Sequence, residues 1–364
     1  MSVKLVKSVI NNNLKRVIFK ANYLSLSMIH EFKEIINQAF INQQKGLKNV
    51  LATVVFLEGS SYRKPGVRML ISENLSSVGA VSGGCVEKEI INRVGTVFAN
   101  NKPKVITYDG RYKLGCEGIL YVLIEPFYIS NEFIKTFSET NSKRESLQLT
   151  SYFKKENEVL GAFGTSVTFE NKQQFTFTEK VITKKDVAIY NQVLQPAFKL
   201  IIIGGEHDAV KLCKVAATLG WEVQVITSIK DSKQLTDFPG ASKVISESPE
   251  TIQFKNINDN CALVLMNHSY VQDLKYVIAL AKQQPKYIGI LGAPSRRERL
   301  FNELFEFVPE TTELFLDAIY TPAGLHIGAQ TPEEIGISII AEILSVFREK
   351  EPFSLRKLEG KIHN

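Results

Sequence analysis

Residues 200–209 read LIIIGGEHDA, and this stretch decides the fold of the second half of the chain. The run of branched apolar residues predicts a buried strand, and the two glycines after it predict a tight turn. Apolar residues at helical spacing over 210–219 then predict a helix that stops at Gly220. A strand, a glycine-rich turn and a helix in this order are typical of a Rossmann-like fold, in which the turn can place a pyrophosphate on helix N–H groups.

The turn departs from the dinucleotide-binding fingerprint G-x-G-x-x-G/A at two places. Gly204 and Ala209 fill the first and last positions, but Glu206 stands second, where a glycine would let the backbone approach the phosphates. The acid expected about 20 residues later is missing, because the next strand ends at Thr227. The sequence therefore predicts a Rossmann-like fold and does not favour ordinary NAD(P) binding.

Two readings of the polar pair after the turn stay open. His207 and Asp208 either contact a ligand at the mouth of the helix, or Asp208 caps the helix and His207 is a solvated neighbour. Further apolar strands at 223–226, 262–266 and 287–291, with helices between them, favour a parallel sheet. Residues 331–334, TPEE, are typical of a helix start.

The first half of the chain predicts a mixed α/β domain. A helix is expected over 29–46, and strands over 50–57, 68–72, 77–81, 104–108 and 118–127. Short β-like runs near 148–180 predict a small meander, either an arm or an edge extension of this domain. The predicted organisation is an N-terminal extension at 1–28, the mixed domain at 29–183, a linker at 184–197 and a Rossmann-like domain with a C-terminal helix and tail at 198–364.

Composition excludes several classes of protein. The 364 residues are 44% hydrophobic and 23% charged, which is typical of a globular chain and not of a disordered one. No apolar run reaches the roughly 20 residues of a membrane helix, and the 4 cysteines form no C-x-x-C pair. We therefore expect a reduced, cytoplasmic setting without a disulfide framework.

Charge gives no reason to expect a nucleic-acid partner. The net charge is +6, but residues 1–27 carry five basic residues and no acid, so the excess is local. This basic segment lacks the apolar core of a signal peptide, and we expect an extension rather than a targeting sequence.

Three glycine-containing stretches of the first domain carry the candidate chemistry: EGSSYRKPGVRM at 58–69, SGGCVE at 82–87 and GCEG at 115–118. Cys85 follows two glycines at a predicted helix start, where the helix dipole favours the thiolate and exposed N–H groups can hold a phosphate. Cys116 could approach Cys85 across the domain. Each cysteine could instead be a small packed residue, and Cys213 and Cys261 are predicted to lie in the core.

These stretches resemble hallmark strings of the xanthine dehydrogenase accessory factor family, XdhC/CoxI, which has G-S-S-x-R-x-x-G-x-R-M and S-G-G-C-V-E. Residues 206–209, EHDA, stand where the family has G-H-D-A, and residues 289–299, GILGAPSRRER, are similar to I-G-L-L-G-S-x-x-R. Residues 324–335, GLHIGAQTPEEI, follow G-L-x-I-G-A-x-T-P-E-E-I. The matches run in order from about residue 29 to the C-terminus.

The resemblance implies a chaperone-like accessory protein rather than a free-standing enzyme. Such proteins bind the molybdenum cofactor (molybdopterin), assist its sulfuration and help insert it into a xanthine dehydrogenase-type molybdenum hydroxylase. The implied partners are the hydroxylase apoenzyme and a sulfur donor such as a cysteine desulfurase, with no nucleic acid or membrane. A homodimer stays open. The alternatives are a nucleotide-dependent oxidoreductase using the Rossmann-like domain, or a scaffold that binds some other phosphate-bearing ligand.

Cys85 and Cys116 are the predicted reactive residues, because a thiolate is a suitable soft ligand or sulfur-relay group for a molybdenum–sulfur centre. Arg63 and Arg68 could clamp phosphate or pterin oxygens. Arg296 binds an anion or, with its neighbours and Glu303, belongs to a salted helix surface. The residues predicted to contact the cofactor are Gly59, Ser60, Ser61, Arg63, Arg68, Ser82, Gly83, Gly84, Glu87, Gly204, Gly205, Glu206, His207, Asp208, Gly292, Ser295 and Arg296. No metal-ligand set is predicted.

Overall fold

The protein is an α/β protein, as the sequence predicts, and its chain divides into two compact units. Unit 1 ends at Pro196 and unit 2 begins at Ala197. The computed structural model describes residues 28–59, 64–112, 118–178, 186–254, 257, 260–283 and 285–359.

Unit 1 contains two antiparallel sheets. Its elements in chain order are α1 (Met28–Gln44), β1 (Asn49–Glu58), β2 (Arg68–Ser72), β3 (Ser77–Gly79), α2 (Cys85–Arg93), α3 (Gly95–Asn100), β4 (Lys104–Asp109), β5 (Ile119–Pro126), α4 (Asn131–Lys143), β6 (Leu147–Phe153), β7 (Val159–Leu160), β8 (Gly164–Phe169), β9 (Gln174–Thr176) and β10 (Ala188–Leu194). Sheet A has the order β3-β2-β1-β5-β4-β7, and sheet B has the order β10-β6-β8-β9.

Both faces of sheet A are covered, which explains why its central strands do not alternate regularly between apolar and polar residues. One face packs against α2 and α3 through buried side chains that include Val86, Ile90 and Val97. The opposite face packs against Phe153 and Phe163 around sheet B. A strand that is buried on both faces has no reason to alternate between apolar and polar residues.

The second half of unit 1 differs from the sequence prediction in three ways. The predicted meander is part of sheet B, whereas its expected second strand, Val159–Leu160, pairs with β4 of sheet A. The predicted linker at 184–197 is wrong in its middle, because Ala188–Leu194 pairs with β6 along its whole length. The helix Asn131–Lys143 was not predicted. Ser130 caps it, and its Phe133 and Phe137 pack into an aromatic cluster with Phe177.

Unit 2 is a parallel sheet with helices between its strands. Its elements are β11 (Lys199–Ile203), α5 (His207–Thr218), β12 (Glu222–Thr227), β13 (Ala241–Ser246), β14 (Cys261–Leu265), α6 (Tyr270–Leu280), β15 (Ile288–Ile290), α7 (Ser295–Phe307), α8 (Glu313–Asp317), β16 (Ile319–Tyr320) and α9 (Pro332–Arg348). Sheet C has the order β13-β12-β11-β14-β15-β16. Numbered within the unit, this is the order 3-2-1-4-5-6 of the Rossmann fold.

The first strand and the last helix of unit 2 form as the sequence predicts. Strand β11 is fully buried and pairs in parallel with β12 and β14. The Thr331 side chain accepts the backbone N–H of Glu334, and the Glu334 carboxylate accepts the backbone N–H of Thr331, so the two residues cap α9. Across the part of the chain that the structure describes, no helix combines the length and the apolar character needed to cross a bilayer.

Gly204 is required by the fold at the end of β11. Its φ is +150°, and a Cβ at this position would lie 2.7 Å from the carbonyl oxygen of Met266, which follows β14. At Gly205 the nearest atoms to such a Cβ are 3.6 Å away. The two adjacent glycines therefore differ in steric demand.

We expect Gly204→Ala to lower the free energy of unfolding of unit 2 by about 1–3 kcal/mol because of backbone strain and overlap. Gly205→Ala, the matched control, should change it by less than about 0.5 kcal/mol. Urea unfolding followed by Trp221 fluorescence measures this directly, since Trp221 is the single tryptophan of the chain and packs on Phe198 in unit 2. Equal effects of the two variants would contradict the steric argument.

Candidate functional site

Cys85 is the first residue of helix α2, as predicted, and its side chain is exposed. The other cysteines that the structure describes, Cys213 and Cys261, are fully buried, which confirms their assignment to the core. Cys116 lies outside the described residues, so its approach to Cys85 stays a prediction. Exposure gives the Cys85 sulfur access to a ligand or a partner protein.

The loop before Cys85 is organised by one carboxylate. Glu87 accepts the backbone N–H of Val81 at 3.0 Å, of Ser82 at 2.5 Å and of Gly84 at 2.8 Å. The hydroxyl of Ser82 donates to the same carboxylate at 2.5 Å. A side chain three positions into the helix thus returns to the loop and fixes its backbone, as in a capping box.

This network corrects the predicted roles of Ser82, Gly84 and Glu87. The N–H groups of Ser82 and Gly84 are already bonded to Glu87, and the Ser82 hydroxyl also accepts the N–H groups of Gly84 and Val86 at 3.2 and 3.3 Å. Because these donors are engaged within the chain, they are not available to a phosphate in this conformation. The sequence pattern alone did not show that Glu87 would supply an internal anion.

Glu87 is held in its ionised form. Burial alone would raise its pKa, but hydrogen bonds from Ser82, from its own backbone and from Gly84 outweigh burial, so its pKa lies below the ordinary 4.5. The negative charge also lies at the N-terminus of α2, where the helix dipole favours it. The loop is therefore built to be rigid at neutral pH.

The two glycines beside Cys85 differ in their reason for being glycine. Gly84 has φ +120°, a conformation that side chains rarely allow, and it is the N-cap of α2. Gly83 has no such φ, and a Cβ on it would meet no atom of the described residues within 4 Å. The fold therefore needs a glycine at 84 but not at 83, and the space beside Gly83 is open.

Arg68 does not lie on a surface that a phosphate or pterin could reach. It is only 4% exposed, its Nη1 donates to the carbonyl oxygen of Gly66 at 2.7 Å, and its guanidinium lies 5.6 Å from the ring centre of Phe32. Burial lowers its pKa to about 10. The predicted clamp is not supported at Arg68, because every residue of β2 is buried and the side chain has no free surface to turn to.

Glu125 is a buried acid that the sequence prediction missed. It lies on β5 with no exposed surface and accepts the N–H and the hydroxyl of Thr165 on β8, at 2.8 and 2.6 Å. Burial raises its pKa to about 7, against the effects of Thr165 and Arg68. This carboxyl links sheet A to sheet B. The available signal was the position of this glutamate, directly after the apolar run of residues 119–124 and before Pro126 and Phe127.

The remaining predicted residues of unit 1 lie at or beyond the end of β1. Gly59 follows the strand directly and is exposed. Ser60, Ser61 and Arg63 lie outside the described residues, and their contacts with a cofactor stay predictions.

The predicted residues of unit 2 lie at one edge of sheet C. Gly204–Asp208 follow β11, and Gly292–Arg296 follow β15. Strands β11, β14 and β15 are parallel neighbours, so their carboxyl ends meet at the same edge. Ligands of open α/β sheets bind in the crevice at this edge.

The glycine-rich turn has the Rossmann backbone but unusual side chains. Glu206 is the N-cap of α5, and its side chain makes no capping bond, so the predicted cap role of Asp208 is wrong. Asp208 lies in the first turn of the helix, where the dipole favours an acid. The stem of Lys233 lies 3.6 Å from the position of a Cβ on Gly205.

Thr227 ends β12, where a dinucleotide-binding protein would carry an acid. It is 1% exposed, and its hydroxyl is hydrogen bonded to the hydroxyl of Ser246 on β13 at 2.9 Å. This side chain therefore serves the sheet and not the crevice.

Arg296 is fixed beside Gly292 in the first turn of α7. Its Nη2 lies 3.3 Å from Oδ2 of the buried Asp273, and its Nη1 donates to the carbonyl oxygen of Leu291 at 3.2 Å. A Cβ on Gly292 would lie 2.8 Å from Nη1 of Arg296, so the glycine permits the close approach. Arg299 instead forms an ion pair with Glu303 at 2.6 Å. This is the salt-bridged helix surface that was one of the two predicted alternatives.

Asp273 is a second buried acid that the sequence did not reveal. Burial raises its pKa to about 6, against the effects of Asn267 and Arg296. Its contact with Arg296 holds that guanidinium at the sheet edge, beside the exposed Ser295. Among the described residues, no group of three or more His, Cys, Asp or Glu side chains is arranged to hold a metal ion.

A pocket of about 420 Å³ lies elsewhere in unit 1. Its lining includes Lys48, Phe98 and Tyr128, and it includes none of the predicted site residues.

Fold and site together define a two-unit α/β protein that presents an exposed thiol on a capped glycine loop and carries a Rossmann-type sheet in its second unit. Residues 43–109 match the XdhC and CoxI family, and residues 200–343 match the XdhC Rossmann domain. The chain belongs to the XdhC/CoxI family.

Relatives resemble the chain over most of its length. A Bacillus subtilis protein, named a probable xanthine dehydrogenase subunit, is 29% identical over 316 residues, which cover 81% of this chain and 92% of that protein. The molybdenum cofactor insertion chaperone PaoD of Escherichia coli is 21% identical over 324 residues, which cover 88% and 90%. A crystal structure of a xanthine dehydrogenase from Bacillus halodurans shares the fold, with a TM-score of 0.70 at 24% identity over 87% of this chain and 96% of that one.

We expect Glu87→Gln to lower the free energy of unfolding by about 1–3 kcal/mol at pH 7, because the amide cannot accept all the bonds that the carboxylate accepts. Because folding lowers the pKa of Glu87, its carboxylate stabilises the fold above pH 4.5, and this stabilisation is lost as the pH falls through the pKa of the folded state. The difference in free energy of unfolding between Glu87→Gln and wild type should therefore shrink in acid. Denaturant unfolding at pH 7 and below pH 4 measures both.

The control is Glu89→Gln on the same helix. Glu89 pairs with Arg93 at the surface, and its loss should change the free energy of unfolding by less than about 0.5 kcal/mol. A Glu87→Gln variant as stable as Glu89→Gln would show that the carboxylate does not hold the loop.

Proposed function

We propose that this protein binds the molybdenum cofactor as cargo and assists its maturation for a xanthine dehydrogenase-type enzyme. The observation that carries the proposal is the exposed thiol of Cys85 on a loop that Glu87 holds rigid, within a chain of the XdhC/CoxI family. The relative named as a molybdenum cofactor insertion chaperone, similar over 88% of this chain, supports the same role.

The residues around Cys85 suit such a cargo. A thiolate is a soft ligand that molybdenum–sulfur centres accept. None of the described residues lies within 4 Å of a Cβ built on Gly83, and we propose that the cargo approaches the backbone there. The bonds of Glu87 go to the N–H groups of Val81, Ser82 and Gly84, and we propose the N–H groups of Gly83 and Cys85 as donors to an anionic oxygen of the cargo. In the bound state the cofactor supplies the metal and its sulfur chemistry, and this chain supplies the sulfur ligand and a rigid backbone.

Sulfuration and transfer belong to the proposal as joint steps with partners. A sulfur donor such as a cysteine desulfurase would supply the terminal sulfur, and the apoenzyme of a molybdenum hydroxylase would receive the cofactor. Retention by Cys85 would protect the cofactor between these two encounters. Within unit 2 taken by itself, Arg296 and the turn at Gly204 are proposed as contacts for a phosphate-bearing group at the carboxyl ends of the strands of sheet C.

Oxidoreductase activity with a nicotinamide cofactor is not the function that we propose. The turn carries Glu206 near the site where phosphates would approach, and Thr227 stands where the ribose-binding acid is expected. Both features disfavour a dinucleotide, although the strand order is that of the Rossmann fold.

We expect Cys85→Ala to retain less than about a tenth of the molybdenum and pterin bound by wild type, because the sulfur ligand is lost. The thermal midpoint should stay nearly unchanged, since the side chain is exposed. The measurement is co-expression with the cofactor biosynthetic pathway, followed by elemental and pterin analysis of the purified protein.

Cys213→Ala is the control for the loss of a thiol, because Cys213 is buried and burial raises its pKa to about 11. It should retain the cofactor. Wild-type protein that carries neither molybdenum nor pterin would contradict the proposed function, and full retention by Cys85→Ala would remove Cys85 from the site.

Gly83→Ala tests the open space without disturbing the fold. The fold tolerates a Cβ at this position, so stability should be unchanged or rise by up to about 1 kcal/mol. Cofactor retention should fall several-fold if the cargo approaches the backbone at Gly83.

Gly95→Ala is the matched control, since a Cβ at Gly95 also meets nothing within 4 Å. It should leave both stability and retention unchanged or slightly improved. Equal retention by the two variants would mean that the cargo does not approach Gly83.

A further inference from the structure

The outermost strands of the three sheets differ in how well they resist pairing with another chain. An open strand edge is a template for a further strand, and proteins protect such edges by keeping them short or by placing charges on them. Strands β3, β7, β9 and β16 have two or three residues each, and β13 carries the exposed Lys243. These edges are protected in the usual ways.

Strand β10 is the exception among the strands that the structure describes. It forms the edge of sheet B, has seven residues, and reads AIYNQVL without a charge or a proline. Ile189 and Val193 point outward from it and are 55% and 37% exposed. A long, uncharged edge with exposed aliphatic side chains is a surface that a protein normally covers.

The sequence of β10 is complementary to itself. When two copies pair antiparallel about a two-fold axis through Asn191, Ile189 of one copy lies opposite Val193 of the other. Tyr190 lies opposite Gln192 in the same register. Pairs of β-branched side chains directly opposite each other stabilise a sheet, and no like charges meet.

We propose that β10 is a self-association surface, through which two copies of this chain join their four-stranded B sheets into one sheet of eight strands. The partner is a second copy because the register centred on Asn191 forms two equivalent contacts, each between Ile189 of one copy and Val193 of the other. An unrelated strand would have to reproduce this spacing by chance. The proposal concerns assembly and does not depend on the proposed function.

The first test uses charge at the two-fold axis. Wild-type protein should sediment as a dimer at micromolar concentrations without added cofactor. Asn191→Lys places two ammonium groups opposite each other and should raise the dissociation constant about fivefold or more, as should Asn191→Asp with two carboxylates. An equimolar mixture of the two variants should restore the dimer, because opposite charges then meet.

The second test uses proximity and does not depend on affinity. In a background that lacks Cys85 and Cys116, Asn191→Cys should form a disulfide-linked dimer under mild oxidation, since residues paired at the axis lie within disulfide range. Thr150→Cys is the control, because Thr150 lies opposite Asn191 on the neighbouring strand β6. Two copies of it would be roughly 14 Å apart, which is too far for a disulfide.

A wild-type protein that sediments as a monomer at all concentrations up to about 100 µM would overturn the proposal. A dimer that persists in both charged variants, or cross-links equally through Thr150→Cys and Asn191→Cys, would overturn pairing at β10. Circular dichroism of each variant separates loss of pairing from loss of fold.

Discussion

The candidate site depends on one carboxylate that closes a loop from within. Glu87 gathers three backbone N–H groups and a hydroxyl at the entrance of α2, and this holds Cys85 outward at the first position of the helix. Without it, Gly83 and Gly84 would leave the loop with a large conformational entropy to lose on binding. The glycines thus keep the space beside the loop free, and the Glu87 carboxylate restricts their backbone conformations.

Local patterns were sufficient for much of the fold. The apolar run at 200–203, the glycines after it and the TPEE sequence at 331–334 predicted a buried strand, a turn and a capped helix, because each signal acts over a few residues. The helix start at Cys85 was predicted for the same reason. The parallel arrangement of sheet C followed from the alternation of strands and helices.

The errors concern contacts between distant residues. The segment containing β10 was interpreted as a linker because its composition is polar, whereas its pairing with β6 is visible only in three dimensions. Arg68 and Glu125 could not be assigned to the interior, since burial of a charge depends on partners far along the chain. The hydrogen bonds of Ser82 and Gly84 to Glu87 were not predicted, because the backbone N–H groups of this motif were interpreted as phosphate donors.

Unit 1 contains two carboxyl groups whose protonation preferences oppose each other. Glu87 favours the charged form, so a falling pH weakens the loop before α2. The buried Glu125, with its pKa raised to about 7, favours the protonated form, so a rising pH weakens the contact between sheets A and B. Glu87 contributes stability above pH 4.5 and loses it as the pH falls, whereas Glu125 contributes stability below pH 4.5 and loses it as the pH rises toward 7. One change of pH therefore cannot strengthen both the loop before α2 and the contact between sheets A and B.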